Sequence, residues 1–337
     1  MKVLITGQNG YVGRVLTNLL LKNNHNVLGC DINYFPAAFD NDLHEISNIA
    51  SDIRDITEKD LKKVDVIMHL AGLSNDPLGE LNSKLTHEIN YLSTVRLAKI
   101  SKQAGVQRFI FSSSCSTYGK NLTFANENSD LEPLTEYAKS KVKSESEILV
   151  LKDEEFCPTV LRNATVYGNS PSLRLDLVVN NLTASAFVTG KVKLLSDGTA
   201  WRPQLHVEDM SNAFLTVMES SEELIRGQIF NVGNNDENFK IYQIAEEVKK
   251  IIPGSKIEFV NKSNKDSRSY KVDFTKINNT LGFKTKWNLE KGIKQLYDFF
   301  KKEKLIENDF HDKKFNRLKQ LKWLIENGFL DENLRLN

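Results

Sequence analysis

The chain of 337 residues is short of several things, and each shortage excludes something. It has three cysteines, Cys30, Cys115 and Cys157, odd in number and far apart. They form neither a disulfide framework nor zinc spacing and suit buried small side chains in a reducing compartment. Net charge is almost absent: 45 Lys and Arg against 44 Asp and Glu leave +1. A nucleic-acid or anionic-membrane surface needs a basic excess gathered on one face, so neither partner is expected. No apolar run approaches the roughly 18 residues of a membrane helix. Met1-Lys2-Val3-Leu4-Ile5 turns polar too soon for a signal-peptide core. Together these shortages point to a cytoplasmic protein. There is no low-complexity tract and no internal repeat. What remains is ordinary for a packed chain, 40% apolar and 26% charged. The length suggests two domains, or one large domain with a lobe.

Along the chain, short apolar runs alternate with helical periods. Lys2–Thr6 reads as a buried strand, Arg14–Lys22 as a helix and Asn26–Asp31 as a second strand. Val64–Ala71, Arg108–Ser113 and Pro158–Arg162 continue the strands; Thr86–Ala104 and Tyr137–Leu151 continue the helices. That alternation implies an α/β fold with a doubly wound parallel sheet. After Gly168 the pattern loosens. Leu175–Thr189 and Ile241–Ile252 read as helices, and Lys191–Leu195, Gln204–Val207 and Gln228–Val232 as short strands. The expected organisation is a Rossmann-type domain over 1–168 with a returning segment near 200–240. A smaller substrate lobe covers 169–199 and 241–291, and a helical extension covers 292–337.

Gly7, Gly10 and Gly13 lie between the first strand and the first helix. Glycine permits a tight turn and lets backbone N–H groups approach a pyrophosphate, which the helix N-terminus also attracts. Asp31 ends the second strand, where a carboxylate can accept from the adenosine ribose hydroxyls. It would repel a 2′-phosphate, and no Arg or Lys follows before Arg54, so NAD is expected over NADP. Asp52 and Ile53 fall where a third strand should end, and Asp52 could meet the adenine amino group. For the nearby Asp55, capping a helix over Thr57–Leu61 is the alternative.

Tyr137 and Lys141 stand at i and i+4, on one face of a helix. A lysine ammonium there favours phenolate, and a tuned Tyr can exchange a proton with a sugar hydroxyl. Upstream, Ser112-Ser-Ser114-Cys-Ser116-Thr-Tyr-Gly119 ends a strand at the carboxyl edge of the sheet, where ligands bind in open α/β folds.

With these motifs the chain resembles an extended short-chain dehydrogenase/reductase of the NAD-dependent nucleotide-sugar epimerase/dehydratase family. The resemblance runs from Lys2 to about Gly282. It rests on Thr6–Gly13, Asp31, His69–Gly72, Asn90, Ser112–Gly119, Tyr137-x-x-x-Lys141 and Leu161–Gly168. It implies Tyr137 as general base and acid, Lys141 as its tuner and ribose contact, and Ser114 as the hydroxyl bonded to the reacting sugar oxygen. NAD would meet Gly7, Asn9, Gly10, Tyr11, Val12, Gly13, Asp31, Asp52, Ile53, Leu70, Ala71, Gly72, Ser112 and Asn163. Asn90 would support the site from its helix.

Ser196–Asp209 resembles the family element whose arginine, here Arg202, meets the nucleotide diphosphate; Lys265–Tyr270 resembles the second such element, with Arg268. Arginine suits this because its planar fork binds phosphate bidentately. Ser74, Ser116, Thr165 and Asn180 are the remaining expected substrate contacts, Asn180 beside Asn181. His206 reads as a core imidazole. The Asp-Glu pair that family dehydratases place after the active-site hydroxyl is replaced by Cys115 and Ser116, so 4,6-dehydration is not expected. The resemblance therefore implies a nucleotide-sugar 4-epimerase with retained NAD. A net C4 dehydrogenase or 4-keto reductase is the alternative, and a non-catalytic NAD sensor a lesser one. Ser170–Asp176 resembles a subgroup acting on modified sugars of surface polysaccharides. A homodimer is expected by the same resemblance, and the Phe315–Trp323 helix reads as a packing arm.

Overall fold

A computed structural model describes residues 1–39, 44–74, 82–260 and 268–337. In chain order the strands are β1 (Lys2–Thr6), β2 (Asn26–Cys30), β3 (Ser47–Ala50), β4 (Val66–His69), β5 (Arg108–Ser114), β6 (Lys120–Ala125) and β7 (Cys157–Asn163). Then come β8 (Thr165–Tyr167), β9 (Lys191–Leu194), β10 (Trp201–His206), β11 (Ile229–Val232), β12 (Asn238–Lys240), β13 (Lys256–Phe259) and β14 (Ser269–Val272). The longer helices are α1 (Tyr11–Lys22), α2 (Ser93–Gln103), α3 (Glu136–Leu149), α4 (Val178–Thr189), α5 (Val207–Glu219), α6 (Ile241–Ile251), α7 (Leu289–Lys302) and α8 (Arg317–Glu326).

Seven strands form the central sheet in the order β11-β7-β5-β4-β1-β2-β3, and every pairing is parallel. Successive strand residues point to opposite faces, and each face feeds its own core. Val3 and Ile5 join one hydrophobic cluster and Leu4 the other; Val66 and Met68 divide from Ile67 in the same way. The chain winds outward from β1 to β3, then returns to β4 beside β1. That reversal opens a crevice at the carboxyl ends of β1 and β4.

A third cluster makes the lobe. It gathers Leu182 of α4, Val192 of β9, Ile244 of α6, and Ile293, Leu296 and Phe300 of α7. The α7 positions repeat at helical spacing, so one face of α7 is buried. The expected boundary after residue 291 therefore falls inside α7, a lobe helix.

Other expectations need correction. The helix expected over Thr86–Ala104 has a π turn at Glu88–Leu92 between Ser83–His87 and α2. The strand expected over Gln204–Val207 is β10, and Val207 opens α5. The cap of the Glu58–Leu61 turn is Thr57, whose hydroxyl and N–H both donate to Asp60. Asp55 instead pairs with Arg335 at 2.5 Å. Among the described residues no helix is long and apolar enough to cross a membrane.

Candidate active site

The crevice widens into a cavity of about 810 Å³ between the sheet and the lobe. At one end lies the glycine turn. Gly7 has φ +78°, open to glycine at little cost. A Cβ on Gly13 would stand 2.1 Å from the Gly7 carbonyl oxygen, so α1 approaches the turn as only glycine allows. Gly10 is the N-cap of α1 and no side chain caps that helix. Its first N–H groups are thus left to a ligand, with the positive end of the helix behind them.

Asp31 fastens this turn. Its carboxylate accepts from the N–H groups of Asn9, at 2.9 Å, and Asn33, at 2.7 Å. Burial raises its pKa, opposed by those two hydrogen bonds. Asn9 shapes the turn rather than facing the cavity, because its carbonyl also accepts from the Ser172 hydroxyl at 2.8 Å. Tyr11 lines the cavity, while its hydroxyl donates to the Gly168 carbonyl at 2.6 Å, and burial raises its pKa well above the usual value. Asp52 and Ile53 line the cavity beyond Asp31. The Asp52 carboxylate is already held by Arg54 at 2.7 Å and by Arg335 at 3.3 Å, a commitment that an adenine contact would have to share.

Leu70, Ala71 and Gly72 form the next wall. Asn90, in the π turn, is the clip behind them. It accepts from the Leu73 N–H at 2.8 Å and donates to the Leu73 carbonyl at 3.0 Å. Its backbone carbonyl accepts from Ser144 of α3, so one residue ties this wall to the Tyr137 helix.

At the other end, Ser112, Ser114, Ser116, Tyr137, Lys141, Asn163 and Thr165 meet around the cavity. α3 starts where the Thr135 hydroxyl accepts from the Ala138 N–H, which sets Tyr137 in its first turn. Lys141 is buried. Its ammonium donates to the Ser112 carbonyl at 2.8 Å and lies 5.6 Å from the Tyr137 ring centroid. Burial lowers its pKa to about 8. Ser114 ends β5, and its hydroxyl oxygen accepts from the Ser116 N–H at 3.1 Å. Among the described residues, the Ser116 hydroxyl and the Asn163 side-chain amide oxygen are buried with no protein partner. Cys115 faces inward, 3.2 Å from the Arg162 carbonyl, and burial pushes its thiol far above the usual range.

Arg202 and Arg268 reach the same wall. The Arg202 guanidinium donates to the Arg268 carbonyl at 2.6 Å and lies 5.1 Å from the Tyr270 ring centroid. The approach over Lys265–Ser267 is outside the described residues. Ser74 also lines the cavity, its hydroxyl accepting from Arg174 at 3.1 Å. Asn180 does not line it. Its side chain accepts from the Gly168 N–H and donates to the Arg174 carbonyl and the Tyr11 hydroxyl, all inside the core. Asn181, one step round the helix, faces the cavity instead. His206 is stacked 4.0 Å from Trp287 and bonded to Gln295, a core imidazole whose pKa burial lowers to about 4.

Of two further cavity features, one falls within the Ser170–Asp176 stretch singled out in the sequence and the other does not. Arg174 pairs with Asp176 at 2.9 Å, a pairing an Arg-x-Asp spacing could have suggested. Asn316, Arg317 and Leu318 enter the cavity wall from the far end of the chain, where no local pattern marked them. The arm expected to serve packing therefore contributes directly to the cavity.

The glycine turn, the uncapped helix, a carboxylate at the ribose end and two orphaned polar atoms at the other end fit a dinucleotide. Comparison with known proteins agrees. The pattern of the NAD dependent epimerase/dehydratase family matches residues 3–233. UDP-glucuronic acid decarboxylase 5 of Arabidopsis thaliana is 28% identical over 311 residues, 89% of each chain. The solved UDP-glucose 4-epimerase of Thermotoga maritima with UDP-glucose superposes with a TM-score of 0.79 at 26% identity, over 90% of this chain and 100% of the other. MoeE5, solved with UDP-glucuronic acid and NAD, superposes with a TM-score of 0.79 at 25% identity over the same shares. With motif, topology and cavity in accord over most of its length, the chain belongs to the NAD dependent epimerase/dehydratase family and is an NAD-dependent enzyme.

Proposed function

We propose that the enzyme is a nucleotide-sugar 4-epimerase that retains its NAD. The observation that carries this reading is the convergence of Ser114, Tyr137 and Lys141 on the cavity that holds the glycine cradle, with no acid–base pair after Ser114. Elimination of water needs such a pair. Cys115 is 1% exposed with its thiol pushed far from ionisation, and Ser116 has no acidic proton to offer near neutral pH.

Tyr137, as phenolate, takes the proton from the sugar O4. The Lys141 ammonium makes that phenolate accessible by favouring the charged form. Ser114 donates to the same oxygen as negative charge gathers on it. Bound NAD supplies hydride chemistry at C4. Arg202 and Arg268 hold the diphosphate, leaving the 4-keto sugar free to turn about it so that the opposite face of C4 would receive the hydride back, while Tyr137 returns the proton to O4. Ser74, Ser116, Thr165, Asn163 and Asn181 line the space for the sugar and its base. The substrate class is an activated sugar for surface polysaccharides, and the active form a cytoplasmic homodimer.

A second reading is favoured by the decarboxylase relatives. Oxidation at C4 of a glucuronic acid would use the same Tyr137 and end in loss of carbon dioxide. Net C4 oxidation uses these atoms too. One experiment separates them. Purified enzyme is mixed with UDP-, GDP-, CDP- and dTDP-sugars, including UDP-glucuronic acid, and excess NAD. Absorbance at 340 nm, evolved carbon dioxide and the end products are followed. Sugar conversion with a flat trace and no gas supports the epimerase. Gas from UDP-glucuronic acid supports decarboxylation, and absorbance beyond the enzyme concentration supports a net dehydrogenase; either overturns the 4-epimerase reading.

A further inference from the structure

The C-terminal arm lies beyond the family-matched residues 3–233, yet it closes one side of the dinucleotide cavity. It is fastened there at several points. The Leu334 carbonyl accepts from the hydroxyl of Tyr34 and from Arg54. Arg335 pairs with Asp52 and Asp55. Gln320 donates to the Tyr34 carbonyl at 3.2 Å. Tyr34, Asp52 and Arg54 all line the cavity next to Asp31.

Within this clasp Arg317 is out of balance. Its residue is 3% exposed. Its guanidinium carbon lies 4.2 Å from the Phe35 ring centroid, and among the described residues one of its five N–H donors is used, toward the Ser172 carbonyl at 3.3 Å. Among the described residues no carboxylate oxygen pairs with it. The nearby carboxylates are engaged elsewhere: Asp176 by Arg174, and Asp31 by the Asn9 and Asn33 N–H groups. Three guanidiniums, of Arg14, Arg174 and Arg317, thus share their surroundings with the two carboxylates of Asp31 and Asp176. A buried charge is costly unless it is paired. The Arg317 guanidinium meets no carboxylate among the described residues, and it lines the cavity.

Position says which anion. Ser172 touches Arg317 through its carbonyl, while its hydroxyl donates to the Asn9 carbonyl and accepts from Arg14. One residue therefore separates Arg317 from the glycine turn. We propose that Arg317 is a dinucleotide-binding residue: its buried guanidinium, brought in by the C-terminal arm, pairs with the diphosphate of NAD at the glycine turn. The proposal rests on the NAD dependence of the enzyme and not on which reaction follows.

The test is binding to the full chain, without turnover. Wild type, R317M and R317K are titrated calorimetrically with NAD, ADP, adenosine, UDP and NADP, and each ligand-free protein is melted. R317M is expected to bind NAD and ADP about 10- to 100-fold more weakly, the range of one charge-assisted hydrogen-bonded contact. Adenosine and UDP should bind as in wild type, R317K should recover part of the loss, and ligand-free R317M should melt no lower than wild type. Equal weakening of adenosine and NAD means the arm acts by packing alone and overturns the proposal. Weakening of UDP alone assigns Arg317 to the sugar nucleotide, and weakening of NADP alone to a 2′-phosphate; both overturn it, as does unchanged NAD binding. If R317M fails to fold, R317K alone decides between weakened and unchanged NAD.

Discussion

Glu145 of α3 and Arg162 of β7 meet as an ion pair at 2.7 Å, with both side chains 4% exposed or less. The pair is bidentate, Arg162 donating through Nε and Nη2. Ser113 donates to the same carboxylate, and Arg162 also donates to the Tyr118 hydroxyl at 3.0 Å. The helix that carries Tyr137 and Lys141 is thereby locked onto the strand that ends beside the cavity. Breaking one partner leaves a buried charge alone. Glu145→Gln should cost about 3–5 kcal/mol of stability by urea unfolding. The paired change Glu145→Leu with Arg162→Met should recover most of that loss. Equal losses for the single and double variants would show that burial of the pair is not what matters.

Tyr137→Phe removes the phenol oxygen, the group proposed to carry the proton, and little else. Turnover should fall about 100- to 10,000-fold, the usual worth of a positioned acid–base group. NAD binding should change little. Retained turnover would move the chemistry to another residue.

Lys141 gives a pH-dependent stability. Its folded pKa of about 8 lies below the ordinary lysine value, so folding disfavours the charged form. That cost is present in full below pH 8 and is relieved as pH rises toward the unfolded value of about 10.4. Ligand-free Lys141→Met should be more stable than wild type at pH 7 by about 3 kcal/mol, and most of the gap should close by pH 10. Unfolding at both pH values checks this; a gap that ignores pH refutes it.

Gly13→Ala places a Cβ where the Gly7 carbonyl oxygen stands, at 2.1 Å. The turn must open, and the N–H groups of α1 lose their aim. NAD titration should show at least a tenfold loss of affinity while UDP still binds.

His206 is held neutral by burial, with a pKa of about 4. Below about pH 6.5 the unfolded imidazole takes a proton that the folded one refuses, so its contribution to stability is lost as pH falls toward 4. Wild type should lose stability relative to His206→Gln between pH 7 and pH 5, by up to about 1.4 kcal/mol per pH unit. Parallel unfolding curves at the two pH values would assign His206 no part in acid sensitivity.

Much of the site was legible because its signals are local. Gly7, Gly10 and Gly13 mark a turn by spacing alone. Tyr137 and Lys141 share a helix face by spacing alone, and alternation from β1 to β7 dictates a parallel sheet. Asn180 was the instructive miss. Neighbouring helix residues point about 100° apart, and which of Asn180 and Asn181 meets the cavity depends on how α4 is rotated in the lobe. The Asp55 cap failed for a related reason: Thr57 could close the turn with Asp60, while Arg335 claimed Asp55 from 280 residues away.

By itself the sequence determined the alternation, the glycine turn and the shared helix face of Tyr137 and Lys141, since each depends on a backbone period of a few residues. Tertiary structure alone decided what surrounds them. It turned the Asn90 amide onto Leu73, committed Asp52 to Arg54, and brought Arg317 into the cavity wall. Buried charges and amides are settled by whichever partner the packed chain presents, and that choice follows distance in space, which spacing along the chain does not carry.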